Sequence, residues 1–304
     1  MTLSELRPFL ALRYLPTWIG IAVMRAISLL PMPAIWLLGS GLGSLVGMFP
    51  SKLKKIAAIN IRICFPERTD AERASLLRRH FRVLGVSILS YGLGWWSSAE
   101  RLRKLVHFRD RHHYDQAVAS GRNIILFSPH FLALDISGIT LSSERPMVSM
   151  YRAPRNGLLD AMLRKRGRFG ALVFERKDNL KALIRLIREG KPFYYLPDQD
   201  PGGADAVFVP FFGMPAATVT AFSRIAVMTN ALVIPCYNRI LPWGRGFEVR
   251  FEAPLAGYPS DDPVQDARRM NESIEKVIRQ YPDQYLWSYR RFKTRPAGES
   301  SLYR

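Results

Sequence analysis

The sequence predicts an α/β fold: a mixed, mostly parallel central sheet flanked by helices, preceded by an apolar helical region at the amino terminus. Three observations carry this. After Arg109 strand-like and helix-like segments alternate with short turns between them, the pattern of a sheet covered by helices on both faces. Hydrophobic residues make up 48% of 304, enough for one large core with an appendage. And residues 26–51, between Arg25 and Lys52, carry no charge at all.

Taken in order, HHYDQAVASG reads as a helix closed by Gly121, and NIILF (Asn123 to Phe127) as a buried strand. FLALDISGITL is the second helix and PMVSMYR the second strand. GLLDAMLRKRG is helical, ALVFE a strand, and NLKALIRLIREG an amphipathic helix ended by Gly190. PFYYLP is a strand, ATVTAFSRIAVMTN a helix, ALVIPCYNRI a strand, and GFEVRFEAPL an antiparallel edge strand. DDPVQDARRMNESIEKVIRQYP forms the last helix.

The uncharged residues 26–51 exceed the roughly 20 that a helical span requires, yet Pro31, Pro33 and GSGLGSLVG interrupt them. A secretory signal is a poor fit, because the apolar zone is too long and lacks a cleavage site. The expectation is a membrane anchor over 1–51, spanning or half-inserted, with KLKK (Lys52 to Lys55) among anionic cytoplasmic headgroups and a cytoplasmic body over 52–304. The competing reading is a hydrophobic hairpin packed on the body. From Asp70 to Tyr91 a helix capped by Thr69 or Asp70 carries an apolar stripe and a basic face, suited to a membrane surface or to plain core packing.

Forty-four Lys and Arg against 25 Asp and Glu give +19 and a pI near 10.4. Such an excess demands an anionic partner. Nucleic acid is excluded as that partner: the basic residues spread over helices behind an apolar segment, with no recognition helix, zinc finger or ribonucleoprotein signature. Cys64 and Cys236 are isolated in apolar settings and read as buried free thiols. A purely structural membrane scaffold is the non-enzymatic alternative.

Chemistry concentrates where strands end. SPHFLALD places His130 and Asp135 just beyond NIILF, and Asp198 and Asp200 follow PFYYLP; ligands gather at such carboxyl ends. Five positions apart on a regular helix, His130 and Asp135 would point about 140° apart. They meet if His130 lies on the turn and Asp135 in the first helical turns. An Asp on one ring nitrogen fixes the tautomer and leaves the other nitrogen as a base for a hydroxyl. No GxSxG elbow is present, so direct attack by the acceptor hydroxyl is expected, without an acyl-enzyme. Asp198 and Asp200 can order a loop, hold an arginine, or with lower expectation bind a metal.

HFLALD resembles the first motif of the glycerolipid-type acyltransferases, whose His is the base and whose acid orients it. GALVFER (Gly170, Phe174, Arg176), LPDQD (Pro197, Asp198) and VIP (Val233 to Pro235) resemble the next three, in order. A narrower resemblance joins YRAPRNGLLDAMLRKRGRFG, ERKDNL, YLPDQDPGGADAVFVPFFGMPAATVTAFSRIA and YLWSYRRFKTRPAG to the bacterial lipid A biosynthesis late acyltransferases, from about Leu15 to Arg295. That resemblance implies a glycerolipid-acyltransferase-like sheet and transfer of a lauroyl or myristoyl chain from acyl carrier protein to a hydroxyl of a Kdo2-lipid IVA-type precursor. It also implies no cofactor beyond acyl-ACP as co-substrate, and an inner-membrane enzyme with its catalytic domain on the cytoplasmic face. His130 and Asp135 are the implied catalytic pair; Arg152, Arg168, Arg176, Asp198 and Asp200 are the substrate-binding candidates, and no metal is expected. Arg168, by family position, is expected to line the site. The family often has Glu in place of Asp135 and His in place of Gln199, so Gln199 is assigned no proton transfer. Acyl carrier protein is acidic and the precursor phosphorylated, which a +19 surface serves. A phospholipid or aminolipid acceptor on the same fold is the alternative, and the oligomeric state is open.

Overall fold

The computed structural model describes residues 7–175, 179–202 and 206–303. A seven-stranded sheet organises them, in the order β1 (Val106–Arg109), β9 (Phe247–Phe251), β8 (Ala231–Ile240), β2 (Asn123–Phe127), β5 (Phe193–Tyr195), β3 (Val148–Tyr151), β4 (Leu172–Glu175). β8, β2, β5, β3 and β4 are parallel; β9 runs against β8, and β1 runs with β9. The expected antiparallel strand is therefore present but is not the edge. VHFR in β1 lies outside it, too short and too polar in sequence to announce itself.

Both faces of the sheet are covered, which is why the central strands are apolar throughout. Ile125 and Phe127 of β2 and Val233 of β8 enter one core with α3 (Lys52–Cys64), α9 (Leu180–Arg188), α10 (Ala221–Thr229) and α11 (Pro263–Gln280). Ile124, Leu126, Ile234 and Cys236 enter the other. There they meet α2 (Met32–Met48), α4 (Asp70–Trp96), α6 (His112–Ala119) and α7 (Leu134–Glu144). α7 is buried although it holds Ser137, Thr140 and Ser142. Each hydroxyl donates to the carbonyl four residues back, at 2.8 to 3.0 Å, so no polar group is left unpaired. Cys64 and Cys236 are buried free thiols. His80 is fully buried, and burial lowers its pKa to about 4.

The predicted helix ATVTAFSRIAVMTN begins four residues late. Ala217 to Val219 belong to β7 (Met214–Val219), which pairs with β6 (Ala206–Phe211) in a separate two-stranded hairpin. Its two-residue turn, Phe212 and Gly213, has φ of 50° and 76°, the primed geometry that matches strand twist. Phe is an unusual first residue for such a turn, so FFGM gave little sequence signal. The helix at 70 is capped as read: Thr69 and Glu72 form a reciprocal capping box.

At the amino terminus, α1 (Leu15–Ile27) and α2 pack on α4. Among the described residues no single helix is long and apolar enough to cross a membrane. α2 and α3 together have the length but are bent by 88°. α2 buries a glycine face against α4: a Cβ at Gly43 would lie 2.1 Å from the Phe81 carbonyl oxygen, and one at Gly85 equally close to that of Gly39. Its other side leaves Leu37, Leu38, Leu42, Leu45, Val46 and Met48 exposed, followed by Phe49 and Leu53. The packed hairpin is thus realised on one face, while the other stays apolar and uncovered.

Gly43→Ala should cost about 1–3 kcal/mol by forcing two backbones apart. Gly41→Ala, on the same helix with nothing within 4 Å, should be neutral or slightly stabilising. Paired urea unfolding curves measure the difference; equal midpoints would show that α2 is not held by backbone contact.

Candidate active site

β2 and β5 are parallel neighbours, so the turns that leave their carboxyl ends lie side by side. His130 is three residues past the first and Asp198 three past the second. The His130 turn is fixed from several directions. Ser128 N–H donates to the Tyr195 carbonyl at 3.0 Å, and Ser128 Oγ accepts from Asn238 Nδ2 at 2.9 Å. The His130 carbonyl accepts from Leu286 N–H at 3.0 Å, and Leu132 N–H donates to the Gln284 carbonyl at 2.8 Å. Ser87 Oγ donates to the Leu132 carbonyl at 2.6 Å.

Asp198 grips this turn twice. One carboxylate oxygen accepts the His130 backbone N–H at 2.9 Å, and the other lies 2.5 Å from the His130 ring Nδ1. Asp198 is buried, whereas the His130 side chain remains 20% exposed. Burial alone would raise the Asp198 pKa. The neighbouring His130 charge and the two hydrogen bonds outweigh it and hold the carboxyl below its ordinary range. A carboxylate only accepts, so Nδ1 carries the proton and Nε2 is the free base nitrogen. The buried Tyr285 hydroxyl also bonds to Asp198.

His130 lines a cleft of about 640 Å³. Lys52, Arg152, Arg290 and Lys293 bring four cations to it. Its acid, Asp200, is already engaged: the carboxylate accepts from Gly202 N–H at 2.9 Å, Thr294 N–H at 2.6 Å and Thr294 Oγ1 at 2.8 Å. Asp200 therefore orders the loop, one of the roles open to it from sequence. Met150, Tyr195, Pro201 and Val219 form a wall shared with a second chamber of about 680 Å³. That chamber is lined largely by apolar side chains, among them Leu183, Ile225 and Val227.

An imidazole held by a buried carboxylate, beside a basic cleft and an apolar chamber, is the setting in which the comparisons with known proteins fall. Residues 4–294 match the bacterial lipid A biosynthesis acyltransferase family. The chain belongs to that family. It is 35% identical over 294 residues to a lipid A biosynthesis lauroyltransferase of Escherichia coli K12, covering 96% of this chain and 95% of that protein. It is 32% identical over 299 residues to the palmitoleoyltransferase of the same organism, covering 98% and 97%. With the myristoyltransferase it shares 29% over 294 residues, 96% and 91% of the two chains.

In this lipid A acyltransferase family member, the expected His130–Asp135 pair is replaced by His130–Asp198. Asp135 instead lies 2.5 Å from Arg166 Nε, and the Tyr91 hydroxyl bonds to both. Asp135's negative charge, with burial, raises the Tyr91 pKa. The reason lies in the backbone. Residues 130–133 are not helical: Phe131 bridges to Tyr285, and α7 starts only at Leu134. Asp135 thus enters α7's first turn facing α4 and the 3-10 turn Arg164–Gly167, where its charge also suits the helix dipole.

The other expectations divide. Arg152 is in the cleft. Arg168 is not; it donates to the Ser97 carbonyl and stacks over Phe169 at 4.2 Å, and burial lowers its pKa. The cleft is lined instead by Arg290 and Lys293, from the YLWSYRRFKTRPAG segment, and by Lys52 of KLKK. Arg176 lies outside the described residues.

Because the native Asp198 pKa is depressed, the unfolded chain binds the proton more readily. The stability that Asp198 supplies is present above about pH 4 and is lost as pH falls through its lower native value. Denaturant midpoints from pH 6 to pH 3 should fall more steeply for the wild type than for Asp198→Asn. Parallel acid limbs would remove this linkage.

Proposed function

We propose that this protein transfers a fatty acyl chain from acyl carrier protein to a hydroxyl of a lipid A precursor of the Kdo2-lipid IVA type, at the cytoplasmic face of the bacterial inner membrane. The His130–Asp198 contact at the cleft wall carries the reading. The four cations around that cleft fit the phosphates of such an acceptor, for which planar Arg152 and Arg290 suit bidentate contact. The adjoining apolar chamber has room for an acyl chain. The relatives, lauroyl-, palmitoleoyl- and myristoyltransferases of lipid A biosynthesis, point to the same substrate class.

In the reaction, His130 Nε2 takes the proton from the acceptor hydroxyl as its oxygen attacks the thioester carbonyl carbon. The tetrahedral intermediate collapses, the C–S bond breaks, and the proton passes from His130 to the departing thiol. The ester forms in one transfer, with no acyl-enzyme and no cofactor. Asp198 holds the ring tautomer and orientation and stabilises the transient imidazolium. Asp135 is not the residue that orients the base. Its ion pair with Arg166 ties α7 to the segment leading into β4.

The exposed apolar edge of α1 and α2, with Lys52 to Lys55 beside it, would set the cleft at the membrane level where such an acceptor resides.

Purified protein given acyl-ACP and the tetraacylated precursor should yield a product heavier by one acyl chain in mass spectrometry. His130→Ala and Asp198→Asn should each lower turnover by about 10²–10⁴-fold with KM little changed. Asp135→Asn should act mainly on stability. Full activity in folded His130→Ala would sink the mechanism. Transfer only to a phospholipid or aminolipid would replace the acceptor.

A further inference from the structure

A cavity of about 370 Å³ lies away from the catalytic cleft, between α2, the start of α3 and α4. Its floor is apolar, from Leu77 and Phe81, with exposed Met48 at its rim. Lys54, Arg78 and Arg82 line it, and among the described residues no acidic one does. These three make only neutral contacts or none: Lys54 Nζ donates to the Met48 carbonyl at 3.3 Å and Arg82 Nε to Ser44 Oγ at 3.2 Å, and among the described residues none of the three has a carboxylate partner. Other arginines of this chain do have carboxylate partners, as do Arg73, Arg111, Arg164 and Arg239. Arg78 and Arg82 are exposed, Lys54 is partly so, and the two arginines stand four residues apart on one helix face, so like charges lie side by side above the apolar floor with no acid among the lining residues to offset them.

The geometry points to a seat for one anionic glycerophospholipid, its phosphate held by Lys54, Arg78 and Arg82 and its acyl chains leaving along the uncovered side of α2. Two features select a lipid over a free anion. The cavity is amphipathic, and it opens beside Leu45, Met48, Phe49 and Leu53, all exposed. Its position also links it to the cleft. Lys52 lines the cleft and Lys54 the cavity, with exposed Leu53 between them on one helical turn. A lipid seated there fixes the height and tilt of the catalytic mouth relative to the bilayer. This inference does not depend on the acyl-transfer chemistry.

Native mass spectrometry of the full chain with dioctanoyl phosphatidylglycerol below its micellar concentration tests it. One lipid should bind, and an equal concentration of dioctanoyl phosphatidylcholine or of inorganic phosphate should neither bind nor displace it. Arg78→Gln/Arg82→Gln should weaken binding at least tenfold. Arg122→Gln/Arg268→Gln, which removes the same charge at other exposed sites, should leave it unchanged. Equal loss in both variants would reduce the effect to net charge. Retention in Arg78→Gln/Arg82→Gln would move the lipid elsewhere, including the cleft, and displacement by phosphate alone would make the site a simple anion site; each overturns the proposal. Circular dichroism of both variants separates loss of the site from loss of fold.

Discussion

The contact between His130 and Asp198 is the constraint around which the site is arranged. A buried carboxylate is costly unless its lone pairs are filled. Asp198 meets that demand with the ring Nδ1, the backbone N–H of the same histidine, and the Tyr285 hydroxyl. Using both the ring and the backbone of one residue fixes the imidazole's position and its plane together. The contact also requires that β2 and β5 be adjacent and parallel, so it depends on the sheet order itself. The segment from Gln284 to Trp287 then closes over the turn through its backbone, bringing Arg290 and Lys293 to the same cleft.

A second charged pair, Asp135 with Arg166, lies behind the first. The two acids have divided the labour that a His-x4-Asp spacing appears to give to one. Asp135 serves the frame, joining α7, α4 and the turn before β4, while Asp198 holds His130. The distinction has consequences for reading related sequences. An acid five residues after a histidine says little about contact between them when the intervening chain is an irregular turn bridged to another segment.

Much of the architecture was legible in the sequence because the central strands are apolar on both faces and the helices end at Gly121 and Gly190. The Thr69 cap and the final helix were legible for the same local reasons. What was not legible depended on distant pairing. β1 is four residues that become a strand only against β9, and ATV in β7 becomes a strand only against β6. For the site, His130 and the strand-end position of Asp198 were visible. Their contact was not, because it is set by which strands are neighbours. Arg168 was misplaced for a similar reason: its sequence neighbours are basic and site-like, yet its side chain turns to the Ser97 carbonyl.

The most direct test of this account is the tautomer of His130, read by nitrogen-detected NMR of protein labelled at histidine. The wild type should show a strongly downfield Nδ1–H, retained in Asp135→Asn and lost in Asp198→Asn. Loss of that signal in Asp135→Asn with its retention in Asp198→Asn would contradict the account and return the orienting role to Asp135.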